Sequence, residues 1–143
     1  MSSAMPGPPA APPLPGPPIR WQTARVLAIH DETARAKTFR LQLPHRTRHM
    51  AGQYFVLRLT APDGYTASRA YSLSSPPEGP DGSTVIDLTV ELLDDGEVST
   101  YLHEVVQPGD ELDVRGPIGA FFAWDGRDPA LLVAGGSGIS PLM

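Results

Sequence analysis

Residues 84–93, TVIDLTVELL, alternate apolar and polar side chains. Ile86, Leu88, Val90 and Leu92 point one way, and Asp87, Thr89 and Glu91 the other. A helix would scatter that pattern around its circumference, whereas a strand gathers it on one face. The same period recurs in residues 21–30 (WQTARVLAIH), 36–43 (AKTFRLQL), 53–60 (QYFVLRLT), 67–75 (ASRAYSLSS) and 110–115 (DELDVR). Phe39, Leu41 and Leu43 share a face, as do Phe55, Leu57 and Leu59, and Leu112 and Val114. Six short strands bounded by turn residues predict an all-β fold, a six-stranded antiparallel Greek-key barrel.

Two segments break the period. In residues 96–106 (GEVSTYLHEVV), Val98, Leu102, Val105 and Val106 fall on one helical face, with Ser99 off it in the first turn. Pro108 and Gly109 stop this helix, which is expected to cap one end of the barrel. Residues 130–136 (ALLVAGG) form a continuous apolar run, the pattern of a strand buried on both faces of a parallel sheet. The chain therefore divides into a tail at 1–18, a barrel at 19–126, and the first strand and loop of an α/β nucleotide-binding domain at 130–143, with no more of that domain following. The tail holds eight of the seventeen prolines. It is expected to be a disordered or polyproline spacer rather than a docking peptide.

Composition excludes several functions. Cysteine is absent, so the chain has no disulfide, thiolate zinc site or cysteine-held cluster. His45 and His49 are four apart, but PHRTRHMAG reads as a polar loop, and no metal site is expected. The net charge is −5 and the pI about 5.2, against nucleic-acid binding. Residues 1–70 carry nine Lys/Arg against three Asp/Glu, and residues 71–143 two against thirteen. The favoured explanation is that folding intermixes the two halves. The sequence holds neither a membrane-length apolar run nor a signal-peptide pattern, so a cytoplasmic protein is expected.

Four elements bear chemistry. Arg69, Tyr71 and Ser72 combine a phosphate-holding fork, a flat ring and a hydroxyl within four residues. In a regular strand Arg69 and Tyr71 share a face and Ser72 takes the other, so one ligand meets all three only at a strand end or bend. Read alone, the stretch is more often an ordinary strand with a surface arginine. Residues 94–99 (DDGEVS) lead into a helix start whose unpaired N–H groups attract anions, although Asp94, Asp95 and Glu97 would repel them unless turned away. In residues 114–122 (VRGPIGAFF), Gly116 and Gly119 allow a tight path, with Phe121 and Phe122 as apolar cover; a plain turn explains them too. Residues 135–140 (GGSGIS) follow the apolar run as a glycine loop able to approach a pyrophosphate.

In this order the four elements resemble the ferredoxin–NADP reductase superfamily, above all its small ferredoxin and oxygenase reductases. The motifs are Arg69-Ala70-Tyr71-Ser72, Gly96-Glu97-Val98-Ser99, Gly116-Pro117-Ile118-Gly119 and the loop from Gly135 to Pro141. The resemblance implies a flavin-binding barrel, usually for FAD, with FMN as the alternative. It implies that Arg69 holds the flavin phosphate and Tyr71 packs on the ring or ribityl. Ser72 would sit near N5, which makes Ser72 and Tyr71 the residues nearest the chemistry. Thr89, Val90 and Glu91 would line the flavin, and Gly96, Val98 and Ser99 would meet the pyrophosphate. Gly135, Gly136 and Gly138 would open the nicotinamide site. Glu91 departs from the basic residue often found at its position.

The implied activity is that of a flavin-dependent oxidoreductase, with NAD(P)H as hydride donor and an iron–sulfur protein or oxygenase component as acceptor. The alternative is a flavin-binding module that, as this chain, does not complete hydride transfer. A pure interaction protein acting through the proline tail is a third reading. If residues 131–133 find no sheet to join, they should be exposed and the chain should self-associate.

Overall fold

A computed structural model describes residues 19–79, 81–120 and 122–143. The proline-rich tail and Phe121 lie outside them. The elements are β1 (Gln22–Thr33), β2 (Ala36–Thr47), β3 (Tyr54–Thr60), β4 (Thr66–Ser72), β5 (Ser83–Glu91), α1 (Glu97–Glu104) and β6 (Glu111–Ile118), followed by a 3-10 helix at Gly136–Leu142. All strand pairs are antiparallel, in the order β4-β3-β6-β1-β2-β5. This is the predicted strand set, with β1 and β2 longer than expected. β2 runs on to Thr47, so His45 lies in a strand rather than a loop.

The alternation dictates the core. Phe39, Leu41, Leu43, Phe55, Leu57, Ile86, Leu88, Val90, Leu112 and Val114 are all buried in one cluster. Burying each such side chain stabilises the fold by roughly 1.5–3 kcal/mol. One break in the alternation puts an apolar side chain outside. The β1–β2 register shifts between Val26 and Ala28, leaving Leu27 exposed while Val26 and Ile29 both pack on the core. One extra residue in a strand reverses the facing of those after it.

Helix α1 inserts Val98, Leu102 and, just after its end, Val106 into the same core. Two expectations need correction there. Val105 is exposed, because the helix ends at Glu104 and Val105 is its C-cap. Ser99 is buried, because backbone partners satisfy its hydroxyl: Oγ accepts from Leu93 N (3.1 Å) and donates to Gly96 O (3.2 Å).

Folding does intermix the charged halves. Arg40 pairs with Asp87, Arg58 with Asp113 and Arg35 with Asp94, each joining the basic first half to the acidic second. On the outer surface the guanidiniums of Arg58 and Arg115 stack on Trp21, 4.1 and 4.9 Å from its ring centre.

Residues 130–135 form no strand, contrary to the sequence expectation. Leu131 is 91% exposed and Val133 82%. Among the described residues no strand lies beside them to take their backbone hydrogen bonds, and an apolar run without a ladder partner stays irregular.

Candidate flavin site at the barrel seam

Strand β4 has a single ladder neighbour, β3. Across that ladder Arg69 faces Leu57, Tyr71 faces Phe55 and Ser72 faces Tyr54. Directly opposed residues share a face. Arg69 and Tyr71 therefore lie on the core side of β4, and Ser72 on the outer side with Tyr54. Tyr71 is half-buried against the core, and this burial raises its phenol above the ordinary value, with the Arg69 charge opposing. The phenol is a neutral, flat surface at physiological pH. Arg69 is exposed; its Nη1 donates to Ser68 O (2.7 Å), and it pairs with no carboxylate among the described residues.

The barrel closes between β4 and β5 without a ladder. Leu73 bridges Leu88, Ser74 N donates to Asp87 O (2.9 Å), and Asp87 N donates to Ser75 Oγ (3.0 Å). Thr89 Oγ1 donates to Ser74 Oγ (2.9 Å) and lies 2.8 Å from Thr38 Oγ1. A hydroxyl has one proton, so Thr38 must donate to Thr89. Past this hydroxyl seam β4 and β5 have no ladder between them. Arg69, Tyr71 and Ser72 lie along one side of the gap, and Thr89, Val90 and Glu91 along the other. Val90 itself is fully buried, and its carbonyl oxygen lies 2.9 Å from His103 Nε2 of α1.

The start of α1 stands near the far end. It packs against β4, and Tyr65 Oη, from the turn before β4, donates to Glu97 Oε2 (3.2 Å). Gly96 is the N-cap and no side chain caps the helix. The first intrahelical bond runs from Thr100 N to Gly96 O (2.9 Å), so the N–H groups of Glu97, Val98 and Ser99 have no partner within the helix. Gly96 is required by crowding: a Cβ there would run into the Ser99 hydroxyl. Asp94 is engaged by Arg35 Nη2 at 2.8 Å and Glu97 by Tyr65, so two of the three acids near this helix start are held by partners. The Arg35 guanidinium is held above its ordinary value first by its hydrogen bond to Asp94, then by that carboxylate's charge, with Glu91 adding to it.

The glycine loop does not join the β4 residues. Gly135, Gly136 and Gly138 are exposed, and the 3-10 helix lies against β5. A cavity of about 360 Å³ between this helix and the β1–β2 hairpin is lined by Arg35, Thr89, Glu91, Gly136 and Ser140. A larger one, about 700 Å³, lies beside Arg58, Tyr65, Ala67, Glu97 and Tyr101. Neither includes Arg69, Tyr71 or Ser72, and the break in the ladder marks the site better than cavity size does. The turn at 116–119 is structural: a Cβ at Gly116 would strike the Phe55 ring, and Gln53 Nε2 donates to Gly119 O (2.9 Å). Sequence reasoning missed Tyr54, which only the β3–β4 register puts beside Ser72, and Arg35, which meets Asp94 across 59 residues of chain.

An exposed arginine, a neutral aromatic face, a hydroxyl and an uncapped helix start are thus gathered where the ladder of the described strands runs out. The chain belongs to the oxidoreductase FAD-binding domain family, whose pattern matches residues 23–123. It is 35% identical over 118 residues to the phenol hydroxylase P5 protein of Acinetobacter pittii, covering 82% of this chain and 32% of that protein. It is 43% identical over 93 residues to the glycine betaine monooxygenase reductase subunit of Chromohalobacter salexigens, covering 64% and 24%. The chain thus spans about a third or less of these curated relatives. Among solved structures, the Amycolatopsis cytochrome P450 reductase superposes with a TM-score of 0.72 at 31% identity, covering 87% of this chain and 37% of that one. The flavohemoprotein-like FAD/NAD-binding domain of Vibrio cholerae nitric oxide dioxygenase gives 0.73 at 28%, covering 85% and 53%.

Proposed function

We propose that this chain is the flavin domain of an NAD(P)H-dependent reductase that delivers electrons to an iron–sulfur or oxygenase component. The observation that carries the reading is the coincidence of the Arg69-Tyr71-Ser72 strand with the break in the ladder between β4 and β5 among the described residues. The bound flavin would supply the conversion of a two-electron hydride into single electrons. Arg69 binds its phosphate through the guanidinium fork. Tyr71 offers its neutral ring as a packing surface, and Ser72, on the outer side of β4 with Tyr54, holds its hydroxyl near the reacting edge. The backbone around Thr89, Val90 and Glu91 lines the opposite side. Gly96, Val98 and Ser99 receive the pyrophosphate through backbone N–H groups, since the Ser99 side chain is already committed to the turn.

In this reading residues 19–126 are the FAD unit and residues 130–143 open a nicotinamide-nucleotide unit through Gly135, Gly136 and Gly138. The names of the relatives as monooxygenase reductase components support an oxygenase component as acceptor. Among the described residues no helix is long and apolar enough to cross a membrane; a cytoplasmic location is part of the proposal. So is self-association through exposed residues 131–133, which light scattering tests: a monodisperse monomer would count against it.

A visible spectrum of the purified chain, taken after mixing with FAD and desalting, tests the cofactor assignment. Flavin bands are expected in the wild type and should be lost in Arg69→Ala. A folded chain that retains no flavin would count against the site. Rapid mixing with NADPH, compared with dithionite, separates a reductase from a binding module: reduction by dithionite alone would show that this chain does not complete hydride transfer.

A further inference from the structure

We infer that Arg35, in the turn between β1 and β2, is a positioning residue for the cofactor's pyrophosphate. This rests on the reading of the α1 start as the pyrophosphate seat. A single nitrogen, Arg35 Nη2, donates to Leu92 O at 2.7 Å and to Asp94 Oδ1 at 2.8 Å. The backbone adds a third link, from Leu92 N to Arg35 O at 2.7 Å. Arg35 thereby grips both ends of residues 92–94, the segment entering the Gly96 cap. Its own turn is braced by Arg35 N donating to Thr33 Oγ1 (3.2 Å).

The need for such a residue is electrostatic. Asp94, Asp95 and Glu97 crowd the helix start that is to receive a doubly charged diphosphate, and Glu91 lies one step away, paired with Ala36 across the β2–β5 ladder. Arg35 faces Asp94 directly and shares a cavity wall with Glu91. Tyr65 occupies Glu97 from the other side. Arg35 turns the Asp94 carboxylate toward the β1–β2 hairpin and offsets its charge, which lessens the repulsion that a diphosphate meets at the helix N–H groups. The pair is exposed, 53% and 86% for the two side chains, so it adds little to fold stability and its variants should fold.

The test is a flavin fluorescence titration of the flavin-stripped full chain with FAD and, separately, with FMN, which has one phosphate and no diphosphate. Wild type, Arg35→Gln, Asp94→Asn and the double variant are compared at low and high salt. Arg35→Gln should weaken FAD binding by about tenfold at low salt and FMN binding by about twofold or less, with the FAD loss shrinking as salt screens Asp94. Adding Asp94→Asn should restore FAD affinity to within about twofold of wild type, because the charge needing an offset is gone. If FAD and FMN weaken equally, or Asp94→Asn restores nothing, Arg35 is only a strut and the inference fails. If wild type binds FAD no more tightly than FMN, the pyrophosphate seat itself is wrong and both readings fall.

Discussion

Strands β4 and β5 are the two ends of one sheet, yet they are built differently. β5 alternates without a fault, buries Ile86, Leu88 and Val90, and pairs with β2 from Ala36↔Glu91 to Gln42↔Val85. β4 leaves Ser68, Arg69 and Ala70 exposed and keeps only Ala67 and Tyr71 against the core. One end strand holds the barrel together, and the other leaves its groups exposed, where the proposed ligand would meet them. Function sits where the backbone's own hydrogen bonding stops, because only there does a strand have faces and edges left to offer.

The largest expected effect breaks the stable side. Leu88→Ala should cost about 2–5 kcal/mol in a denaturant melt, since Leu88 is fully buried beside the closing bridge. On β4, Arg69→Ala should reverse the pattern, weakening flavin binding by about 1.5–3 kcal/mol while the melt moves by less than about 0.5 kcal/mol. A loss of stability as large as that of Leu88→Ala would erase the distinction between the two strands.

Between those extremes lies the seam that joins them. Thr89→Val leaves the Thr38 and Ser74 hydroxyls, both nearly buried, without their shared partner. It should destabilise the chain by about 1–2 kcal/mol, with Thr89→Ser close to wild type. The smallest effect concerns the β2–β5 surface. Arg40 meets Asp87 through Nε–Oδ1 and Nη2–Oδ2, both 2.9 Å, but its side chain is half-exposed. Arg40→Gln should shift the melt only slightly, and less at high salt. A larger, salt-independent cost would mean that this pair clamps the seam.

Much of the barrel was legible because period-two alternation is a local property: each strand's faces follow from its own residues. The helix was equally legible, since Val98 and Leu102 carry its period in a single turn. The Leu27 bulge was not, because one extra residue looks like ordinary noise in an alternating run. Residues 131–133 were half legible: an apolar run promises a strand, but a strand exists only with a neighbour to pair with, and without one these residues are exposed, as expected for that case.

The candidate site divides along the same line. The amino-acid order alone singled out the candidate groups: Arg69, Tyr71 and Ser72 stand within four residues, and the glycine turn precedes its helix. Only the tertiary structure decided that Tyr54 shares a face with Ser72, that Ser99 turns inward and that Arg35 and Tyr65 occupy two of the acids crowding the helix start. Those outcomes depend on register and on side chains that meet across 32 and 59 residues of chain. Such encounters are set by how sheets close and pack, and no local pattern records them.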